Sequence, residues 1–115
     1  MDSLLELPNE IIYQILSELP LKNLIKSEFI CNFFKDFIRD TKWNHCVKKI
    51  NDDNCLIHII KTYNFTKYNL SMCNQITDAS VALLSKCHTL DLYNCNQITN
   101  IIIASLRNNN VTIYK

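Results

Sequence analysis

The sequence predicts an α plus α/β fold, with short helices packed together over residues 1–50 and small strand–helix units over residues 65–115. Three observations carry this expectation. Prolines at positions 8 and 20 cut the N-terminal region into helix-length stretches whose apolar residues recur at helical spacing. The stretch CNQIT occurs at 73–77 and again at 95–99, 22 residues later, and its surroundings repeat with it. Among all 115 residues there is no glycine. The phosphate-cradling and dinucleotide loops, the nucleophile elbow and the EF-hand loop all need glycine, so none is expected in its usual form.

The first helix is expected to start at Pro8, whose fixed φ suits the first helical position and whose missing N–H costs nothing there. Ile11, Ile12, Ile15, Leu16 and Leu19 form its apolar stripe, and Pro20 stops it. A second short helix fits residues 21–29, with Leu21, Leu24 and Ile25 on one side. A third fits 32–40, where Phe33, Phe34, Phe37 and Ile38 make another stripe. Thr41 then caps a fourth, in which Trp43, Val47 and Ile50 stand at helical spacing. Helices this short bury too little surface to be comfortably stable alone. Leu4, Leu5, Leu7 and the first helix nevertheless supply more apolar side chains than so small a core absorbs, which predicts a surface covered by a partner helix.

The run LPNEIIYQILSELPLKNLIKSEFICNFFKDFIRDTKW closely resembles an F-box. The resemblance rests on Leu-Pro, Glu-Ile, an Ile-Leu pair, Leu-Pro-x-x-x-Leu, a hydrophobic-Cys pair, the aromatic Phe34 and the closing Trp43, over residues 4 to about 45. Ile30 stands where Val is commoner, and Phe34 where Trp is commoner. The resemblance implies a three-helix motif that docks on the Skp-type adaptor of cullin–RING ubiquitin ligases. It makes Leu7, Pro8, Ile11, Ile15, Leu16, Leu19 and Leu24 the candidate adaptor contacts.

After an Asn/Asp turn at 51–54, CLIHIIKTY fits a short helix with Leu56, Ile59, Ile60 and Tyr63 inward and His58 in solvent. It is expected to bridge the two regions. The repeat follows: Tyr68 matches Leu90, Leu70 matches Leu92, Cys73 matches Cys95 and Ile76 matches Ile98. Each alternating apolar pair predicts a short strand facing inward, followed by a bend where the cysteine is buried and its S–H meets a backbone carbonyl. Thr77 and Thr99 are expected to N-cap the next helices, and Asp78 to favour its helix N-terminus by charge. Val81, Leu84 and Cys87 then face the strand, as do Ile102, Ile103 and Leu106 in the second copy. The pattern L-x-L-x-x-C-x-x-I resembles the cysteine-containing leucine-rich repeats that often follow F-boxes. By that resemblance residues 1–50 are the F-box, 51–64 a linker helix, and 65–115 a truncated leucine-rich-repeat solenoid ending in a strand at VTIYK. Asn69, Ser71, Asp91, Tyr93 and Thr112 would face a target.

The chemistry that cysteine and histidine could perform is disfavoured. The six cysteines and three histidines offer no close C-x-x-C-type pair for zinc, and no metal or other cofactor is expected. A net charge of +1, spread evenly, lacks the basic face that nucleic acid demands. The N-terminal residues carry acids where a signal peptide needs bases, and no apolar run approaches membrane-spanning length. The expectation is a protein of the cytoplasm or nucleus with free thiols and no membrane partner. The leading functional expectation is a non-enzymatic substrate-recognition subunit, binding the Skp-type adaptor through the F-box and an unidentified protein target through the repeats. The alternatives are a decoy that occupies the adaptor without delivering a target and a small cysteine-dependent enzyme.

Overall fold

The structure, a computed structural model, describes residues 8–48, 50 and 52–115. Leu4, Leu5 and Leu7 lie outside the described residues. Two helices open on prolines. Pro8 is the N-cap of α1 (Asn9–Ser17), with φ −57°, and its carbonyl accepts from the N–H groups of Ile11 and Ile12. Pro20 does the same for α2 (Leu21–Lys26), accepting from Asn23 and Leu24 at 2.9 Å each. Each proline therefore sits one place before the helix, and its fixed φ sets the angle at which the chain enters. A 3₁₀ turn, Ser27–Phe29, joins α2 to α3 (Asn32–Asp40). Ile12, Leu16, Leu24, Phe34 and Ile38 close the small core between the three helices.

The expected fourth helix is a strand instead: β1 spans Lys42–Val47. Thr41 ends α3 rather than starting a new helix. Its hydroxyl donates to the Phe37 carbonyl at 2.6 Å, and its backbone is extended at φ −90°, ψ 141°. The four-residue spacing from Trp43 to Val47 suits either periodicity, so spacing alone does not separate helix from strand. Pairing decides it: β1 lies parallel to β2 (Asn64–Asn69), with Trp43 opposite Phe65 and Val47 opposite Tyr68. An extra residue in β1 between Trp43 and Cys46 shifts the register.

The helix expected after the Asn/Asp turn is α4 (Asp53–Thr62), which connects β1 to β2 as the crossover between parallel strands. The same unit then recurs. β2 leads to α5 (Asp78–Val81) and a 3₁₀ turn (Ala82–Leu84), then β3 (Thr89–Asp91), α6 (Asn100–Asn108) and β4 (Thr112–Tyr114). The strands form one parallel sheet in chain order, β1-β2-β3-β4. An N-terminal helical region followed by alternating strand–helix units is thus the architecture. Its inward face holds Leu70, Ile76, Leu90, Leu92 and Leu106, all buried, continuous with Trp43 and the helical core.

Polar contacts join each unit to the one before. Cys95 Sγ–H donates to the Leu70 carbonyl at 2.8 Å, and Cys73 Sγ–H to the Ile50 carbonyl at 3.0 Å, so the expected thiol–carbonyl contact reaches across units. Asp78 does more than charge its own helix. Its carboxylate accepts from Thr99 N–H at 3.0 Å and Thr99 Oγ1–H at 2.7 Å, 21 residues on. Asp53, at the same place in α4, holds Thr77 in the same way through N–H at 2.7 Å and Oγ1–H at 2.5 Å. The two threonines differ as caps. Thr77 accepts from Ala79 N–H, whereas Thr99 makes no capping bond to its helix. Without glycine, left-handed backbone falls to Met72, Asn94 and Asn110 (φ 60°, 59° and 67°). Met72 and Asn94 occupy the same repeat position, at the bend after the strand.

Candidate functional site

Two surfaces carry the sequence-predicted residues. The first is an apolar groove of about 190 Å³ between α1 and the end of the 3₁₀ turn, lined by Ile12, Ile15, Leu16, Leu19, Ile30 and Phe34 with the small side chain of Ser27. The amphipathic pattern of α1 explains it. Ile12 and Leu16 point inward and are buried, while Ile11 and Ile15, one position earlier on the helical wheel, are 39% and 47% exposed. Leu19, half-buried, closes one end of the groove, and Pro8 is exposed at the helix start. Leu24 is displaced from the predicted set. It is wholly enclosed in the helical core, so it supports the surface from beneath and offers nothing to a partner.

Three exposed apolar residues were absent from the sequence-predicted set. Ile30 is 50% exposed on the groove wall, and Phe29 and Phe33 are 82% and 39% exposed beside it. The available signal was composition: Phe29, Ile30, Phe33, Phe34 and Phe37 exceed what one face of a nine-residue helix buries. Covering such side chains recovers about 1.5–3 kcal/mol for each one fully removed from water.

The groove sits on a braced scaffold. Trp43 Nε1–H donates to the Ile38 carbonyl at 2.8 Å, and the indole stacks on Tyr13 of α1 at 5.1 Å and 9°. His45 Nε2 meets the Leu19 carbonyl at 2.7 Å, tying the end of α1 to β1. Glu28, nearly buried, accepts from Tyr63 Oη–H at 3.0 Å and pairs with Arg39 at 3.4 Å. Burial and the Glu28 carboxylate push the Tyr63 phenol up to about 12, and the hydrogen bond to Glu28 raises Arg39 further above its usual range. Both groups therefore keep their protons across the ordinary pH range, which holds the end of α4 onto the helical region.

The second surface is the outward face of the sheet. Pairing places Asn69 beside Asp91, and Asp91 beside Tyr114. Thr112 lies one row earlier, with Thr89 and Lys67. Tyr114 and Lys67 thus join the face although neither was among the expected residues. The spacing from Leu90 to its partner Ile113 is 23 residues, one more than from Tyr68 to Leu90, because α6 is a full nine-residue helix. Asn69 and Asp91 also serve their own bends: each Oδ1 accepts a backbone N–H two residues on, Ser71 at 3.1 Å and Tyr93 at 3.0 Å. Ser71 adds its hydroxyl to Asn69, and Tyr93 stands 57% exposed beyond the turn.

Nucleophilic chemistry has little footing. All six cysteines are unpaired; burial pushes the Cys87 thiol up to about 11 and raises Cys95 as well, which suppresses the reactive thiolate. Among the described residues no group of three or more His, Cys, Asp or Glu side chains could hold a metal ion, and no helix is long and apolar enough to cross a membrane.

The family of F-box domains supplies the match that this geometry suggests: its model aligns with residues 4–46, which take in α1, α2, α3 and all of β1 but its last residue. Residues 4–46 thus match an F-box domain, and F-box domains are non-catalytic modules whose general role is to bind an adaptor. A search of the curated proteins finds no match.

Proposed function

We propose that the chain is the substrate-recognition subunit of an SCF-type cullin–RING ubiquitin ligase. The F-box binds the Skp-type adaptor through the groove formed by Ile15, Leu16, Leu19 and Ile30, with Pro8 and Ile11 at its rim; Leu7 belongs to the same set by sequence. The strand–helix units are a short leucine-rich-repeat solenoid, and its outward face (Asn69, Ser71, Asp91, Tyr93 and Thr112, with Tyr114) holds a protein target. The chain performs no chemistry and brings adaptor and target together. The observation that carries this reading is the apolar groove within the residues that match an F-box, with Ile15 and Ile30 about half exposed on its walls and Ile11, Phe29 and Phe33 exposed beside it.

Co-purification with a Skp-type adaptor tests it. Ile15→Asp places a charge in the groove and is expected to lower adaptor affinity at least about a hundredfold, in line with the loss of a buried interface anchor. Because Ile15 faces outward, the variant should keep its fold by circular dichroism. Undiminished adaptor binding by a folded Ile15→Asp protein would overturn the groove assignment. Recovery of the adaptor with no third protein would favour a decoy that occupies the adaptor without delivering a target.

A further inference from the structure

A pocket lies away from both surfaces, between α4 and the turn that follows α5, and nothing in the adaptor-binding reading uses it. Its volume is about 380 Å³, within the range of small-molecule sites. Ile60, Phe65, Leu83 and Leu84 supply apolar walls. Tyr68 and Cys87, both buried, line it as well. Lys42 and Lys86 stand exposed at its border, make no ion pair among the described residues, and no Asp or Glu shares the lining with them.

Two of the remaining polar groups are already committed to holding the strands. Thr66 Oγ1–H donates to the Trp43 carbonyl at 3.2 Å, and Asn64 Nδ2–H to the Arg39 carbonyl at 3.0 Å. Tyr68 is different. Only 3% of the residue is exposed, and among the described residues its hydroxyl makes no hydrogen bond to the protein. The hydroxyl is not among the fully buried, unpaired side-chain atoms of the described residues, so it is open to the pocket that Tyr68 lines and free to donate to an occupant. Burial holds the Tyr68 phenol well above its ordinary range and the Cys87 thiol at about 11, so both stay protonated and bring no negative charge to the pocket.

We propose that this pocket is a binding site for a small organic anion, with an apolar, ring-sized body between Ile60, Phe65 and Leu83 and an acidic head group facing Lys42 and Lys86. An oxygen of the ligand accepts the hydrogen bond that Tyr68 lacks. The apolar walls exclude a bare inorganic ion as the preferred occupant, and the two uncompensated ammonium groups disfavour a neutral or cationic one.

Titration of the full chain, followed by amide and side-chain NMR shifts, tests the proposal with four probes: phenylacetate, phenyl phosphate, phenylacetamide and inorganic phosphate. At least one aryl anion is expected to move the resonances of Tyr68, Leu83 and Cys87 saturably in the millimolar range, given its few atoms. The tighter of the two names the head group. Phenylacetamide and inorganic phosphate should each bind about tenfold or more weakly, since one lacks the charge and the other the body. Lys42→Gln together with Lys86→Gln should weaken the aryl anion by about tenfold and leave the amide unaffected. Tyr68→Phe should also weaken it, with an unchanged melting temperature because the hydroxyl makes no hydrogen bond to the protein. Absence of saturable shifts with both aryl anions, equal binding of acid and amide, or undiminished binding by the double lysine variant would overturn the proposal. Adaptor binding, read separately, is untouched by any of these outcomes.

Discussion

Ile15 and Ile103 each lie in a nine-residue amphipathic helix, yet Ile15 is 47% exposed and Ile103 only 3%. In α6 the apolar face lies against the sheet. The helix leaves Ile101 outside as a single side chain, which is ordinary for a protein surface. In α1 the exposed Ile15 shares a groove with the exposed Ile30, beside Phe29 and Phe33. The joints differ as well. The helical region is held by contacts that occur once, such as Trp43 to Ile38 and Tyr13, and Glu28 to Arg39 and Tyr63. The units are held by contacts that recur, the thiol-to-carbonyl and aspartate-to-threonine bonds. A unit that repeats its joints can satisfy its polar groups locally and grow by addition. A region built from single contacts can dedicate one face to something else.

Three substitutions probe this contrast, in falling order of effect. Trp43→Ala removes the side chain that stacks on α1, bonds to α3 and faces Phe65 of β2. It is expected to cost about 3–5 kcal/mol in urea unfolding and to loosen both regions together. Separate transitions, with the units unfolding as before, would show that Trp43 does not couple them.

Asp53→Asn weakens one recurring joint. Burial pushes the Asp53 carboxyl up, but the hydrogen bonds from Ser80 and Thr77 outweigh it and leave the group below its usual value. A folded-state pKa below the unfolded one contributes stability that is present above the unfolded pKa and lost as pH falls through the folded one. The stability gap between the wild type and Asp53→Asn should therefore hold steady near neutrality and narrow progressively as the pH falls below about 4. A gap that does not narrow at all as the pH is taken below about 4 would locate the effect elsewhere.

The smallest change is a gain. Met72 and Asn94 hold the same left-handed bend in successive units, and Asn tolerates it better than Met. Met72→Asn should stabilise the chain by about 0.5 kcal/mol, read as a higher urea midpoint with an unchanged slope.

The two regions also differed in how much their sequences disclosed. The prolines marked the helix entries of α1 and α2 because their fixed φ and missing N–H act locally. The duplicated CNQIT marked the bends because the whole unit recurs. β1 stayed hidden because Trp43 and Val47 fit both periodicities and its partner strand starts at Asn64, far along the chain. The role of Asp78 was half visible. An acid at a helix start has a sufficient local explanation in the helix dipole, and its bond to Thr99 appears only once the units are stacked. On α1 the pattern separated apolar from polar, but adjacent Ile11 and Ile12 gave no sign of which one faces out. Leu24 was placed at the interface for the same reason: a helix that carries both core and contact residues shows a single apolar stripe.

Adaptor affinity measured on matched variants of the two regions bears most directly on this division of labour. Ile15→Asp in the groove should lower the affinity for a Skp-type adaptor at least about a hundredfold, while Asp91→Ala with Tyr93→Ala on the sheet face leaves it within about twofold. Equal losses in the two proteins, or none in the first, would contradict the account.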